Sequence, residues 1–178
     1  TFLHTLGHAK HHMCIHDSGS NGVFTGDAFG LAYPALRGGA RPFIMCTSAP
    51  ADFEPNEARR TVRRILDTGA ERLYLTHFGE LSPPRPAAEV LLESIDDAAR
   101  VLDEAVASDL GGEPLAAWCR DRLRIHAMKA LDDCGAHPDE AMAPGAAMAL
   151  QIESDLAINA DGIVCAVNRI RKANAGGM

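Results

Sequence analysis

The sequence has no long apolar run, no dense basic block and no paired cysteines. A membrane-spanning helix needs roughly 20 apolar residues in succession, and no such run occurs among the 178 residues. The 17 Lys and Arg residues are outnumbered by 24 Asp and Glu residues, so neither a nucleic-acid nor a membrane partner is expected. The five cysteines form no Cys-x-x-Cys pair, which indicates reduced thiols in a cytoplasmic protein rather than a disulfide framework.

The residues that are present indicate a globular chain whose two parts differ in their secondary-structure patterns. Hydrophobic residues make up 47% of the sequence and charged residues 23%, so the chain has material for a core without disulfides. The secondary-structure pattern changes near 82–86, where three prolines stand within four residues. Strand and turn patterns precede this point, and helical periodicity follows it.

The patterns before and after the prolines predict individual elements. Alternating and buried-strand patterns predict strands over 12–16, 22–27 and 72–76, and the chain opens in the middle of what reads as a further strand. Apolar residues at helical spacing predict helices over 55–68, 87–109 and 113–134, with one or two more through 172. Residues 29–53 show no periodicity and are rich in Gly and Pro, so they are predicted to form a long loop.

Three short stretches carry side chains that can bind a metal. They supply His8, Asp27 and His77, each at the end of a predicted strand or in the loop that follows one. Imidazole nitrogens and carboxylate oxygens are natural zinc ligands, and one carboxylate can bridge two cations. These side chains could therefore converge on a metal pair.

In order along the chain, the three stretches resemble the metallo-β-lactamase-fold hydrolases, which include lactonases and glyoxalase II-like thioesterases. The matching motifs are Leu6-Gly7-His8-Ala9-Lys10-His11-His12, Phe24-Thr25-Gly26-Asp27 and Thr76-His77-Phe78-Gly79. Leu6 stands where the family has Pro. The resemblance implies an α/β (α+β) fold, with the C-terminal half of an αββα sandwich over residues 1–81 and a helical C-terminal extension over 82–178.

The resemblance also implies roles for individual residues. His8 would bind one metal, His77 the second, and Asp27 would bridge both as the catalytic carboxylate, with His12 supporting the loop behind them. A complete enzyme would hold two zinc ions, or iron or manganese. It would hydrolyse an ester, a lactone or a thioester, with a metal-activated water attacking a small-molecule substrate.

The long loop supplies the expected substrate contacts. Tyr33, Arg37 and Phe43 lie in residues 29–53, which follow Asp27 directly and would border the cavity. A plain connector is an almost equal alternative for this segment.

One family motif is missing, and this leaves alternatives open. The His-x-His-x-Asp-His motif, which supplies the other ligands in the family, does not occur in the sequence. We therefore expect a fragment that lacks the first half of the fold, since the chain also starts within a predicted strand. A relative that uses one iron for persulfide oxygenation and a non-catalytic helical interaction module are the alternative functions, and a homodimer is compatible with each.

Overall fold

The computed structural model describes residues 1–36, 41–48, 52–77 and 79–176, and it combines a mixed sheet with a layer of helices. The strands are β1 (Phe2–His4), β2 (Met13–Asp17), β3 (Gly22–Gly26), β4 (Arg72–Leu75) and β5 (Gly79–Leu81). The α-helices are α1 (Pro55–Leu66), α2 (Pro84–Ala107), α3 (Gly112–Asp133), α4 (Pro138–Ala141) and α5 (Ala147–Gly176). Two short 3₁₀ turns, Asp27–Phe29 and Pro34–Leu36, follow β3. The mixed α+β architecture predicted from the sequence is confirmed.

The order of the strands in the sheet is β1-β2-β3-β4-β5. β1 and β3 both pair antiparallel with β2, while β4 pairs parallel with β3. It follows that β1, β3 and β4 run in the same direction and end at the same edge of the sheet. Loops that follow such strand ends are where α/β proteins commonly bind ligands.

The β2–β3 hairpin confirms the two strands predicted on either side of residues 17–22. The Asp17 carboxylate accepts backbone N–H bonds from Gly19 and Ser20 at 3.2 and 3.0 Å. Asn21 has a φ of +50°, a left-handed conformation that Asn tolerates better than most residues. The polar residues of this turn therefore close the hairpin themselves.

The helix α2 begins three residues earlier than the prolines led us to expect. Pro84 and Pro86 both lie in its first turn, where the backbone N–H groups have no partner within the helix and a missing N–H costs little. The prediction that α2 starts at 87 was therefore wrong. The prolines therefore mark the start of the helix.

The C-terminal end of α2 is held by Arg171 of α5. Its guanidinium donates to the carbonyl oxygens of Ala105, Val106, Ser108 and Leu110, at 2.6, 3.3 and 2.7 Å for Ala105, Val106 and Leu110. The last carbonyls of a helix lack partners within the helix and carry partial negative charge, so a cation there is stabilising. Arg171 thus joins the end of α2 to α5.

One hydrophobic core runs through the strand part and the helical part. Val23 and Leu73 of the sheet, Val62 of α1, Leu91 of α2 and Ile163 of α5 belong to the same cluster of buried side chains. The core is therefore continuous across residues 81 and 82, where the sequence suggested a boundary between two domains.

No helix in the described ranges is long and apolar enough to cross a membrane.

Much of the described part of the loop predicted over residues 29–53 is buried. Where described, it contains no α-helix or named strand, but Leu31 and Met45 form an antiparallel bridge. Phe29, Ile44 and Phe53 of this segment are at most 1% exposed. These described residues of the segment therefore belong to the core.

The two faces of the sheet differ in burial. One face contributes Cys14, Val23 and Leu73 to the core. The other displays a single cross-strand row of Phe2, Ile15, Phe24 and Tyr74, set by the pairing register. Phe2, Ile15 and Phe24 are 72%, 40% and 48% exposed, so the sheet has an apolar outer face open to solvent.

Candidate metal centre

The three side chains singled out as metal ligands lie together at one edge of the sheet. Asp27 directly follows β3, His77 stands two residues after β4, and His8 lies in the loop after β1. His8 Nε2 is 3.6 Å from Asp27 Oδ2, and His77 Nε2 is 3.3 Å from Asp27 Oδ1. The two histidines thus contact opposite oxygens of one carboxylate.

This arrangement forms two pairs rather than a closed cage. Within the described ranges, no group of three or more His, Cys, Asp or Glu side chains is close enough to hold a metal ion. Each histidine instead shares Asp27 with the other. A catalytic zinc site typically has three protein ligands, so each pair supplies fewer donors than such a site uses.

The chemistry of the donors nevertheless fits a cation. Asp27 Oδ1 is buried and has no hydrogen-bond partner among the described residues, and an unsatisfied buried carboxylate oxygen is costly unless a positive group meets it. Burial lowers the pKa of His8, although the Asp27 charge opposes this effect. His8 therefore favours the neutral form, which is the form that ligates metals.

The loop that carries His8 is fixed against helix α1. The Thr61 hydroxyl donates to Leu6 O at 2.7 Å, and Glu54 N–H donates to Gly7 O at 2.9 Å. Gly7 has a φ of +113°, and an added Cβ would lie 2.3 Å from the Ala58 nitrogen. Only glycine allows this close approach.

His12 holds the backbone of Asp27 rather than its carboxylate. Asp27 N–H donates to His12 Nε2 at 3.2 Å, and His12 Nδ1 lies 2.7 Å from Thr5 Oγ1. Because Nε2 accepts a hydrogen, Nδ1 must carry one and donate it to Thr5. Burial lowers the pKa of His12, and the nearby His8 lowers it further, in keeping with this neutral form.

The hydrogen bonds continue from Thr5 to the buried thiol of Cys14. Cys14 Sγ lies 3.4 Å from Thr5 Oγ1, and its S–H donates to Thr25 O at 3.2 Å. Since the thiol hydrogen goes to a carbonyl, Thr5 must donate to the sulfur. Burial raises the pKa of Cys14, which keeps that hydrogen on the thiol.

Thr47 is a site residue that the sequence analysis missed. Its Oγ1 lies 3.0 Å from His8 Nδ1 and donates to Asp27 O at 2.7 Å. It stands in the stretch without periodicity, 39 residues from His8. No local pattern in the sequence marks a residue of this kind.

Tyr33 and Phe43, two of the three expected substrate contacts, lie in the core. Tyr33 and Phe43 are both fully buried, with ring centroids 5.6 Å apart. The Tyr33 hydroxyl donates to Asp155 of α5. This is the geometry of core packing, because neither ring presents surface to a substrate. Arg37 lies outside the described residues.

Three further histidines make other contacts or face solvent. His4 Nε2 is 2.9 Å from Lys10 O, His11 is exposed, and His126 Nδ1 is 3.2 Å from an Asp97 oxygen on α2.

Comparison with known proteins finds similarity among solved structures. No family model matches the chain, and no curated protein matches it. Among solved structures, the chain is similar to ST1585, an archaeal metallo-β-lactamase superfamily protein from Sulfolobus tokodaii. The identity is 20% and the TM-score 0.42, over 74% of this chain and 45% of that one. The chain thus spans less than half of that protein.

Proposed function

We propose that the chain carries part of the dinuclear metal centre of a metallo-β-lactamase-fold hydrolase that acts on an ester, a lactone or a thioester. The observation that carries the proposal is the placement of His8 and His77 on opposite oxygens of Asp27. These residues belong to the three motifs through which the sequence resembles that family.

The proposed roles follow from the donors. His8 and Asp27 Oδ2 would bind one cation, and His77 and Asp27 Oδ1 the other. Zinc bound there would supply Lewis acidity and lower the pKa of a bound water to about 7. The carboxylate of Asp27 would hold the two cations near one another and balance part of their charge, while His12 keeps the Asp27 backbone in place.

The donor count supports a further part of the proposal, that other residues complete the centre. Two donors per cation are one fewer than the usual three. The outer face of the sheet, with Phe2, Ile15 and Phe24 exposed, is an apolar surface of the kind that a second layer of structure covers. We infer that this layer carries the missing ligands.

Zinc binding tests the proposal, with isothermal titration calorimetry on the chain and on two variants. Asp27→Asn removes the charge of the bridging carboxylate and should abolish zinc binding at both positions. Asp17→Asn is the matched control, since Asp17 stands at the end of β2 and its carboxylate only closes a turn. It should bind zinc as the unmodified chain does.

Retention of metal and hydrolysis complete the test. The chain should lose most of its zinc on dialysis, because two donors give weak binding. Hydrolysis of a panel of esters, lactones and thioesters should be slow and should disappear in Asp27→Asn only. Two tightly retained zinc ions in a monomer, or zinc binding that survives Asp27→Asn, would contradict the proposed ligand set.

A further inference from the structure

The contacts of Thr47 indicate which nitrogen of His8 carries a hydrogen. The distance of 2.7 Å from its hydroxyl to Asp27 O is a hydrogen bond to a carbonyl, which can only accept. The single hydroxyl hydrogen of Thr47 is therefore committed to Asp27. The 3.0 Å contact with His8 Nδ1 then requires that Nδ1 is the donor and carries the hydrogen.

This choice leaves the other ring nitrogen of His8 available for a cation. With the hydrogen on Nδ1, neutral His8 has a lone pair on Nε2. Nε2 lies 3.6 Å from Asp27 Oδ2, so two electron-rich atoms lie near each other. A cation ligated by both removes their repulsion. The opposite tautomer would place a hydrogen on Nε2 and block ligation there.

Thr47 is itself held by a buried amide of helix α5. Ser48 N–H donates to Asn159 Oδ1 at 2.8 Å, and Asn159 Nδ2 donates to Cys46 O at 3.1 Å. The Ser48 hydroxyl also donates to Asn159 O at 2.8 Å. Asn159 is 6% exposed. One side chain of the helical part thus fixes the residues on both sides of Thr47.

We propose that Thr47 is a positioning residue that selects the metal-binding tautomer of His8 and joins His8 to Asp27, and that Asn159 holds Thr47 in place. The metal-related half of this statement rests on the proposed function. The tautomer of His8 is a property of the metal-free chain and can be measured without any activity.

Nitrogen-15 NMR of the metal-free chain tests the tautomer, because protonated and unprotonated imidazole nitrogens resonate far apart. His8 should carry its hydrogen on Nδ1 in the unmodified chain and in Thr47→Ser, which keeps the hydroxyl. In Thr47→Val the hydroxyl acceptor is lost and only the backbone of Thr47 remains as a partner for His8, so the Nε2–H form should be more populated than in the unmodified chain. His12 is the internal control, since its Nδ1–H is donated to Thr5 and should be unchanged in all three proteins.

Zinc titration of the same proteins supplies the second readout. Loss of a residue that orients a metal ligand typically weakens binding by about 10- to 100-fold, and this is the loss expected for Thr47→Val. Thr47→Ser should bind within a few-fold of the unmodified chain. Asn159→Ala should populate the Nε2–H form of His8 and weaken zinc binding in the same direction.

Several results would overturn the inference. An Nε2–H tautomer of His8 in the unmodified chain would do so, even if Thr47→Val failed to fold. An unchanged tautomer in a folded Thr47→Val variant would also overturn it. If zinc bound none of these proteins, the proposed function would fail, while the NMR result would still decide the role of Thr47.

Discussion

Replacing Gly26 with Ala should destabilise the turn that carries Asp27. Gly26 has φ +54° and ψ −140°, close to a region that glycine alone enters easily, and another residue there costs about 1–3 kcal/mol. An added Cβ would also lie 2.4 Å from His12 Nε2. His12 must then move, and its hydrogen bond from Asp27 N–H is lost.

The expected magnitude follows from these two effects. A hydrogen bond of this kind contributes about 0.5–1.5 kcal/mol net. Together with the backbone strain, Gly26→Ala should lower the free energy of unfolding by about 2–4 kcal/mol. For a chain of this size each kcal/mol shifts Tm by roughly 2–4 °C, so thermal unfolding followed by circular dichroism should show a decrease of roughly 4–16 °C.

A matched glycine and a double-mutant cycle separate strain from the clash. Gly69 also has a positive φ, +72°, but no described atom lies within 4 Å of an added Cβ. Gly69→Ala should cost only the strain, about 1–2 kcal/mol. In a His12→Ala background, the cost of Gly26→Ala should fall by about 0.5–1.5 kcal/mol. A Gly26→Ala penalty that is no larger than that of Gly69→Ala, and unchanged without His12, would refute the reasoning.

Three further predictions follow from other contacts. Arg171→Ala should lower the free energy of unfolding by about 1.5–3 kcal/mol, the range for hydrogen bonds to a charged group. Arg171→Lys should recover little of this loss, because an ammonium cannot reach four carbonyls at once. Equal stability of the unmodified chain and both variants in urea unfolding would contradict this. Burial raises the pKa of Cys46 to about 12, so at pH 8 its thiol stays protonated and should react with a disulfide reagent only after unfolding. The exposed Cys165 should react at once. Fast labelling of Cys46 in the folded protein would contradict its buried position. His8→Ala and His77→Ala should each remove zinc from one position and leave the other, as zinc titration measures, and a full loss in either variant would show that the two positions are not separate.

The regular elements were predictable because their determinants are local. The apolar spacing in α1, with Pro55 at its first position and Gly69 three residues beyond its end, requires only neighbouring residues. The β2–β3 hairpin is likewise encoded in its turn. β5 was missed because its three residues, Gly79–Leu81, are too few to show alternation, and they become a strand only by pairing with β4.

The candidate site was predictable in part. The residues His8, Asp27 and His77 stand in recognisable motifs after strands that end at one edge, so their approach could be expected from the sequence. Thr47 could not, because a hydroxyl acquires its role through contacts made across long separations in the chain. Tyr33 illustrates the opposite difficulty, since an aromatic residue in a Gly- and Pro-rich segment gives no sign of whether it faces solvent or the core.

The hydrogen bonds that begin at Asp27 form a closed circuit. They run from Asp27 N–H through His12, Thr5 and Cys14 to Thr25 O, and Thr25 and Asp27 are separated only by Gly26. His12, Thr5 and Cys14 each accept one hydrogen bond and donate one, so all the hydrogen bonds point in the same direction along the series. Removing any link opens the circuit, and removing a second should then cost less than it would alone. We therefore expect the Thr25–Asp27 turn to respond cooperatively to the loss of any one of these hydrogen bonds.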